Sequence, residues 1–286
     1  MDDSEEPLGP HDFPELLRAF EPLLDDHNAA IVGGQALNVW ATYYYDEARD
    51  ELAAFAPYTS KDIDYYGTKE AAEALARVLQ GEVQVPDPHD QTPQTAVAVV
   101  KLAGRSRQID FLGTLAGVPR RVIHGNLATV DLEWAADEDT GTRVRLLNPL
   151  PILMSRAGNI VTLRRRDDRS VRQLQASIIV LREYLRERLN VAADGSETDM
   201  ERDDAHREVV DIAKALLAWS RSDSNARGVY ELGLGDPLEP LDAVLDHPGW
   251  DPRFVACEIR PQLASARERR DKRRIEAERK RAGRPH

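Results

Sequence analysis

Three aspartates stand inside runs that otherwise have the character of β-strands. The runs are Ser60-Lys61-Asp62-Ile63-Asp64-Tyr65-Tyr66 and Arg107-Gln108-Ile109-Asp110-Phe111-Leu112. On an extended chain residues i and i+2 share a face. Asp62 and Asp64 therefore point one way, and Ile63 points the other. If the second run pairs beside the first, Asp110 joins them while Ile109 and Phe111 turn into the core. Carboxylates converging on a half-buried rim are costly unless a cation neutralises them. A divalent metal held by hard oxygen ligands meets that requirement, and Mg²⁺ is the ion suited to phosphate chemistry.

The pattern around these runs predicts an α+β fold, a mixed β-sheet flanked by helices and followed by a C-terminal helical domain. Apolar spacing from Asp12 to Asp26 is helical. Ala29 to Val32 is a short strand ending in Gly33-Gly34, and Gln35 to Tyr45 is a helix. Lys61 to Tyr66 is a strand and Lys69 to Leu79 a helix. Thr95 to Leu102 and Arg107 to Leu112 form a hairpin, and Thr129 to Trp134 with Thr142 to Leu147 form a second pair. After Asn148-Pro149 the pattern is helical throughout: Pro151 to Arg166, Arg169 to Leu189, Glu201 to Arg221 and Arg253 to Ala282. The expected divisions are an α/β domain over 1–148, a helical domain over 149–266 and a basic tail over 267–286.

Charge narrows the classes of function. The chain has 286 residues and a formal charge of −12. That argues against a protein that coats nucleic acid with its whole surface. From Arg267 onward there are ten Lys or Arg against four Asp or Glu, so the remainder carries about −18. This tail is a solvated helix end, an arm for RNA or an acidic partner, or a segment from Arg267 to Arg281 that folds back onto the acidic body and balances its charge. Cys257 is the only cysteine, so no intramolecular disulfide forms. The acidic N-terminus lacks a signal core, and the longest apolar run is far too short to cross a bilayer. A soluble cytoplasmic protein with no membrane partner is expected.

Glycines allow a phosphate to approach the backbone, and a helix N-terminus directs N–H groups at it. Gly33 and Gly34 open a helix about thirty residues before the paired aspartates. Either feature alone is also what an ordinary turn or strand end looks like. Their order along the chain is more specific: strand, Gly-Gly, helix, Asp-x-Asp on a strand, then a lone Asp on a later strand. It assigns Asp62, Asp64 and Asp110 to a metal and Gly33 and Gly34 to a nucleotide.

This order, with Ser60-Lys61-Asp62-Ile63-Asp64 and Ile109-Asp110-Phe111, resembles the polymerase-beta-like nucleotidyltransferases. Within them it is most similar to the AbiEii/AbiGii type of abortive-infection and toxin–antitoxin systems. The resemblance spans roughly residues 28 to 190. It implies that Asp62 and Asp64 bind Mg²⁺, that Asp110 completes the metal site or helps activate the acceptor hydroxyl, and that Gly33 and Gly34 line the triphosphate. Ser60 belongs to the same motif. Gln35 stands where many relatives have Ser or Thr, and Asp46 to Pro57 reads as an insertion. Arg156-Ala157-Gly158-Asn159 and Arg164-Arg165-Arg166-Asp167 are similar to the basic segment after the sheet, which implies phosphate contacts from Arg156 and Arg164. Arginines at a helix end also suit the helix dipole.

Other residues carry less. Lys61 faces away from Asp62 by alternation, and Lys101 stands on the neighbouring strand, where it could reach a phosphate. His89, His124 and His206 lack metal-ligand spacing, and Tyr43-Tyr44-Tyr45 suits packing better than base stacking. The expected reaction is Mg²⁺-dependent transfer of an NMP from an NTP, such as ATP, to an acceptor hydroxyl. Three acceptor readings stay open: tRNA for a toxin-like enzyme with a cognate antitoxin, a protein or small molecule, or a scaffold that binds a partner without catalysis.

Overall fold

The computed structural model describes residues 12–56, 63–87, 89–102, 104–132 and 141–282. Ser60, Lys61 and Asp62 lie outside the described residues. By packing, the chain divides into two compact units, Met1–Arg156 and Ala157–His286.

The first unit is built on a seven-stranded mixed sheet. Its strands are β1 (Ala30–Ile31), β2 (Ile63–Tyr66), β3 (Glu82–Gln84), β4 (Gln94–Leu102), β5 (Arg105–Leu112), β6 (Leu127–Leu132) and β7 (Thr142–Leu147), in the order β3-β4-β5-β2-β1-β7-β6. β2 is the central strand. It runs parallel to β5 and antiparallel to β1. The expected hairpin β4–β5 and the pair β6–β7 are both antiparallel. The chain turns between β4 and β5 at Gly104, whose φ of 78° suits a residue without a β-carbon. β3 was not expected, because Glu82-Val83-Gln84 has one apolar residue and little periodicity.

Alternation divides the sheet as the sequence predicts. Ile63, Tyr65, Ala96, Ala98, Val100, Ile109 and Phe111 are buried on one face. Helix α1 (Asp12–Phe20) packs on part of this face, where Phe20 stacks on Tyr65 at 4.3 Å between ring centroids, and the helix over Lys69–Val78 packs on β4. Tyr65 in turn stacks on Phe111 at 5.7 Å. The alternate residues Asp64, Val97, Val99, Gln108, Asp110 and Leu112 are half-buried or exposed on the other face.

Helix α2 (Gly33–Tyr43) begins two residues earlier than its apolar pattern suggests, so both glycines belong to its first turn. Its far end is pinned to the sheet where the Trp40 indole N–H donates to the Leu147 carbonyl at 2.9 Å. Tyr44 is buried and stacks on Trp40, which makes it a packing residue, while Tyr43 is exposed. Helix α3 (Lys69–Val78) supplies Ala71, Ala72 and Leu75 to the core, and a short helix, α4 (Arg120–His124), precedes β6. Helix α5 (Pro149–Val161) contains the division between the units.

The second unit is helical, with α6 (Asp168–Ala193), α7 (Asp199–Ser222), α8 (Ser224–Glu231) and α9 (Arg260–Ala282). Asp167 caps α6 by accepting from the Ser170 N–H at 3.0 Å. Thr198 and Glu201 form a reciprocal capping box on α7. α6 packs on α7, and between them Tyr184 donates to Glu208. Glu183 is buried and tolerated because Arg182 and Arg186 both pair with it. Among the described residues no helix is long and apolar enough to cross a membrane.

Candidate functional site

The parallel pairing of β2 with β5 sets Asp64 directly beside Asp110. The two carboxylates therefore share one face, on neighbouring strands about 4.8 Å apart. Both residues are half-buried. Ile63 and Ile109, one step back in the same register, point into the core and fix that orientation. A slip of one residue would bury both aspartates, so the hydrophobic face of β2 and β5 enforces the position of the acidic one.

Asp110 is held on both sides. Gln94 on β4 donates its amide to one carboxylate oxygen at 2.9 Å, and Gln108, two residues back on β5, donates to the other at 2.9 Å. Gln94 is itself tied to the Thr92 hydroxyl, which donates to it at 3.1 Å. These amides orient the group without adding charge.

Gly33 meets Asp64 from the opposite direction. Its φ is 67°, and a β-carbon placed there would lie 2.4 Å from an Asp64 carboxylate oxygen. The Val32 N–H donates to the Asp64 carbonyl at 3.0 Å, which locks the start of α2 onto β2. Val32 supplies no side-chain cap to α2. The result is a helix N-terminus, lined by two glycines, set against a carboxylate. Behind it Gln35 and Asn38 are buried and joined by a hydrogen bond of 3.3 Å.

Ser60 and Asp62 lie outside the described residues. Arg156 is half-buried on α5 at the end of the first unit. Arg164 belongs to the second unit, is exposed and has a φ of 56°. It closes the end of α5, where the N–H groups of Leu163 and Arg165 turn back to the carbonyls of Gly158 and Asn159. Lys101 shares the face of Val97, the cross-strand neighbour of Asp110. It stands four residues further along β4, about 13 Å away.

Three residues at or near this site, Gln94, Gln108 and Tyr66, escape sequence reasoning, and a fourth, His124, is passed over there for want of metal-ligand spacing. Gln94 and Gln108 carry no charge and no motif, and only the strand register reveals their role. Tyr66 stands two residues beyond Asp64 and accordingly on its face. Its hydroxyl is 3.1 Å from His124 Nε2, with the rings edge to face. His124 shows no metal-ligand spacing in the sequence, and its partner is 58 residues away.

Among the described residues no cluster of three or more His, Cys, Asp or Glu is placed to hold a metal. The carboxylates that the strand register brings side by side are Asp64 and Asp110. Their hard oxygens suit Mg²⁺, and Asp62 is the third candidate. No protein-family model, curated protein or solved structure matches the chain.

Proposed function

We propose that the first unit is a Mg²⁺-dependent nucleotidyltransferase that moves an NMP from an NTP to an acceptor hydroxyl, forming the O–P bond, breaking the α–β phosphoanhydride and releasing pyrophosphate and the hydroxyl proton. The observation that carries this reading is the meeting of Gly33, Asp64 and Asp110. A side-chain-free helix N-terminus touches one of two carboxylates that stand in register. Helix N-termini attract phosphate, and paired carboxylates attract the divalent ion that accompanies it.

Each part has a task in such a reaction. The first turn of α2 takes the anionic end of the nucleotide, and Gly33 and Gly34 let it approach the backbone. Asp64 and Asp110, with Asp62, hold the metal, which when bound neutralises phosphate charge and lowers the pKa of an acceptor hydroxyl. Gln94 and Gln108 keep the Asp110 carboxylate aimed at the site. Tyr66 and His124 offer a hydroxyl and an imidazole on or beside the same face for orienting a ligand. The chain's contribution is mainly positioning and charge balance.

The acceptor favoured by the charge distribution is RNA, with a tRNA end as the first substrate to try and a toxin-like role with a cognate antitoxin as its setting. The test is incubation of the protein with NTPs labelled at the α-phosphorus, Mg²⁺ and total tRNA. Label on RNA supports the reading in full. Label on protein or on a small molecule supports transfer and redirects the acceptor. Absence of label from every acceptor, with each NTP, contradicts it.

A further inference from the structure

The basic end of the chain forms α9, a 23-residue helix about 34 Å long. Its arginines divide into two sets. Arg267 pairs with Asp242 at 2.7 Å. Arg270 is buried, makes two bonds to Asp236 and lies over the Tyr230 ring, 4.4 Å from its centroid. The Tyr230 hydroxyl donates to Asp271 at 3.1 Å. With Leu263 and Ala266, which are buried, these interactions fix one side of α9 onto the acidic body.

Arg269, Lys272, Arg273 and Arg279 are exposed. At about 100° per residue they fall within a sector of roughly 120°, turned away from Arg267 and Arg270. Glu276 lies in that sector and Glu268 at its edge, where it pairs with Lys272 at 2.7 Å. Four cations against two anions leave the sector positive, on a chain whose other parts carry about −18. The net charge of the other parts disfavours a polyanion, whereas this sector favours one. These anchors dock the first half of α9, so its outer cations stand on a helix that is already tied down there, which lowers the entropy cost of ordering a loose tail. Eight of the ten cations from Arg267 onward are arginine, whose fork matches phosphate.

We propose that the outer face of α9 binds the phosphate backbone of RNA. The choice of RNA among polyanions rests on the proposed transfer to an acceptor hydroxyl. The attraction to phosphate rests on α9 alone.

The test uses the full chain and fluorescence anisotropy of a labelled single-stranded RNA, without NTP or metal, across a salt series. Arg269→Gln, Lys272→Gln, Arg273→Gln and Arg279→Gln together are expected to weaken binding about tenfold or more. The log–log salt slope should shrink by roughly 0.7 for each phosphate that is no longer neutralised. Arg202→Gln with Arg207→Gln on α7 removes exposed charge elsewhere and is expected to leave affinity unchanged. Should the four substitutions lower helix content by circular dichroism, Lys272→Gln with Arg273→Gln gives the same reading in part. Wild-type affinity in the α9 variants, no RNA binding by the wild-type protein at low salt, or displacement by poly-glutamate as readily as by RNA would each overturn the proposal. The Asp64→Asn protein is expected to bind RNA normally, so failure of the transfer chemistry and failure of the α9 interface give different results.

Discussion

Gly33 and Asp64 are matched residue to residue. The glycine is required twice, by its positive φ and by the carboxylate against its α-carbon. Gly104 separates the two causes, because it has a φ of 78° with nothing within 4 Å of an added β-carbon. Gly104→Ala is expected to cost about 1 kcal/mol from backbone strain alone. Gly33→Ala is expected to cost at least about 1 kcal/mol more, because the methyl group must displace the carboxylate. Urea denaturation of both variants measures the difference, and equal losses would show that Asp64 moves aside freely.

A second residue-scale prediction concerns the core face. The Tyr65 hydroxyl is buried with no hydrogen-bond partner among the described residues. Burial raises its pKa far above the ordinary tyrosine value. The native phenol stays protonated while the unfolded one ionises near pH 10, so stability is full below about pH 10 and falls as pH rises beyond it. Tyr65→Phe removes an unsatisfied polar group and should raise stability by about 1 kcal/mol at neutral pH. It should also flatten the alkaline loss. A destabilised variant in thermal melts would mean that the hydroxyl has a partner.

At the scale of elements, the second unit depends on how α9 is anchored. Arg270→Ala leaves Asp236 without its bidentate partner and Tyr230 without its cation, and is expected to cost about 2 kcal/mol. Tyr230→Phe, which removes only the hydroxyl bond to Asp271, should cost less than half as much. Equal losses in chemical denaturation would contradict the ranking. Much of this level was legible in the sequence. The alternation of Asp64 with Ile63 and Tyr65, and of Asp110 with Ile109 and Phe111, gave both strands and both faces. The long helices announced themselves by apolar period, whereas the Thr198 and Asp167 caps emerged only from the structure. What was not legible has a physical reason in each case. β3 is short and polar and exists through pairing with β4. Val32 accepts the first backbone bond of α2, so the glycines fold as its first turn although they read as a turn before it. The amide clamp on Asp110 depends on a register between β4 and β5 that no local pattern encodes. The pairing of Tyr66 with His124 likewise depends on where α4 lies over the sheet.

At the scale of the whole molecule, chemistry and charge are assigned to different parts of the chain. The first unit holds the carboxylate pair and the glycine-lined helix N-terminus. The second unit carries the basic helix, where Arg267 and Arg270 serve folding by pairing with Asp242 and Asp236. In the sequence, residues 267–286 admit either an outward arm or a segment folded back onto the acidic residues, because charge alone does not tell a docked arginine from a presented one. Arg267 and Arg270 are docked, while Arg269 and Arg273 are exposed. The central claim concerns the first unit, and one measurement addresses it most directly. Transfer of label from an α-labelled NTP to RNA is followed in Mg²⁺ for the wild-type protein, Asp64→Asn and Asp110→Asn, with folding checked by circular dichroism. Wild-type protein is expected to transfer label, and each substitution should lower the rate roughly a hundredfold or more while the fold is retained. Undiminished transfer by Asp64→Asn, or none by the folded wild-type protein with any NTP, would contradict the account.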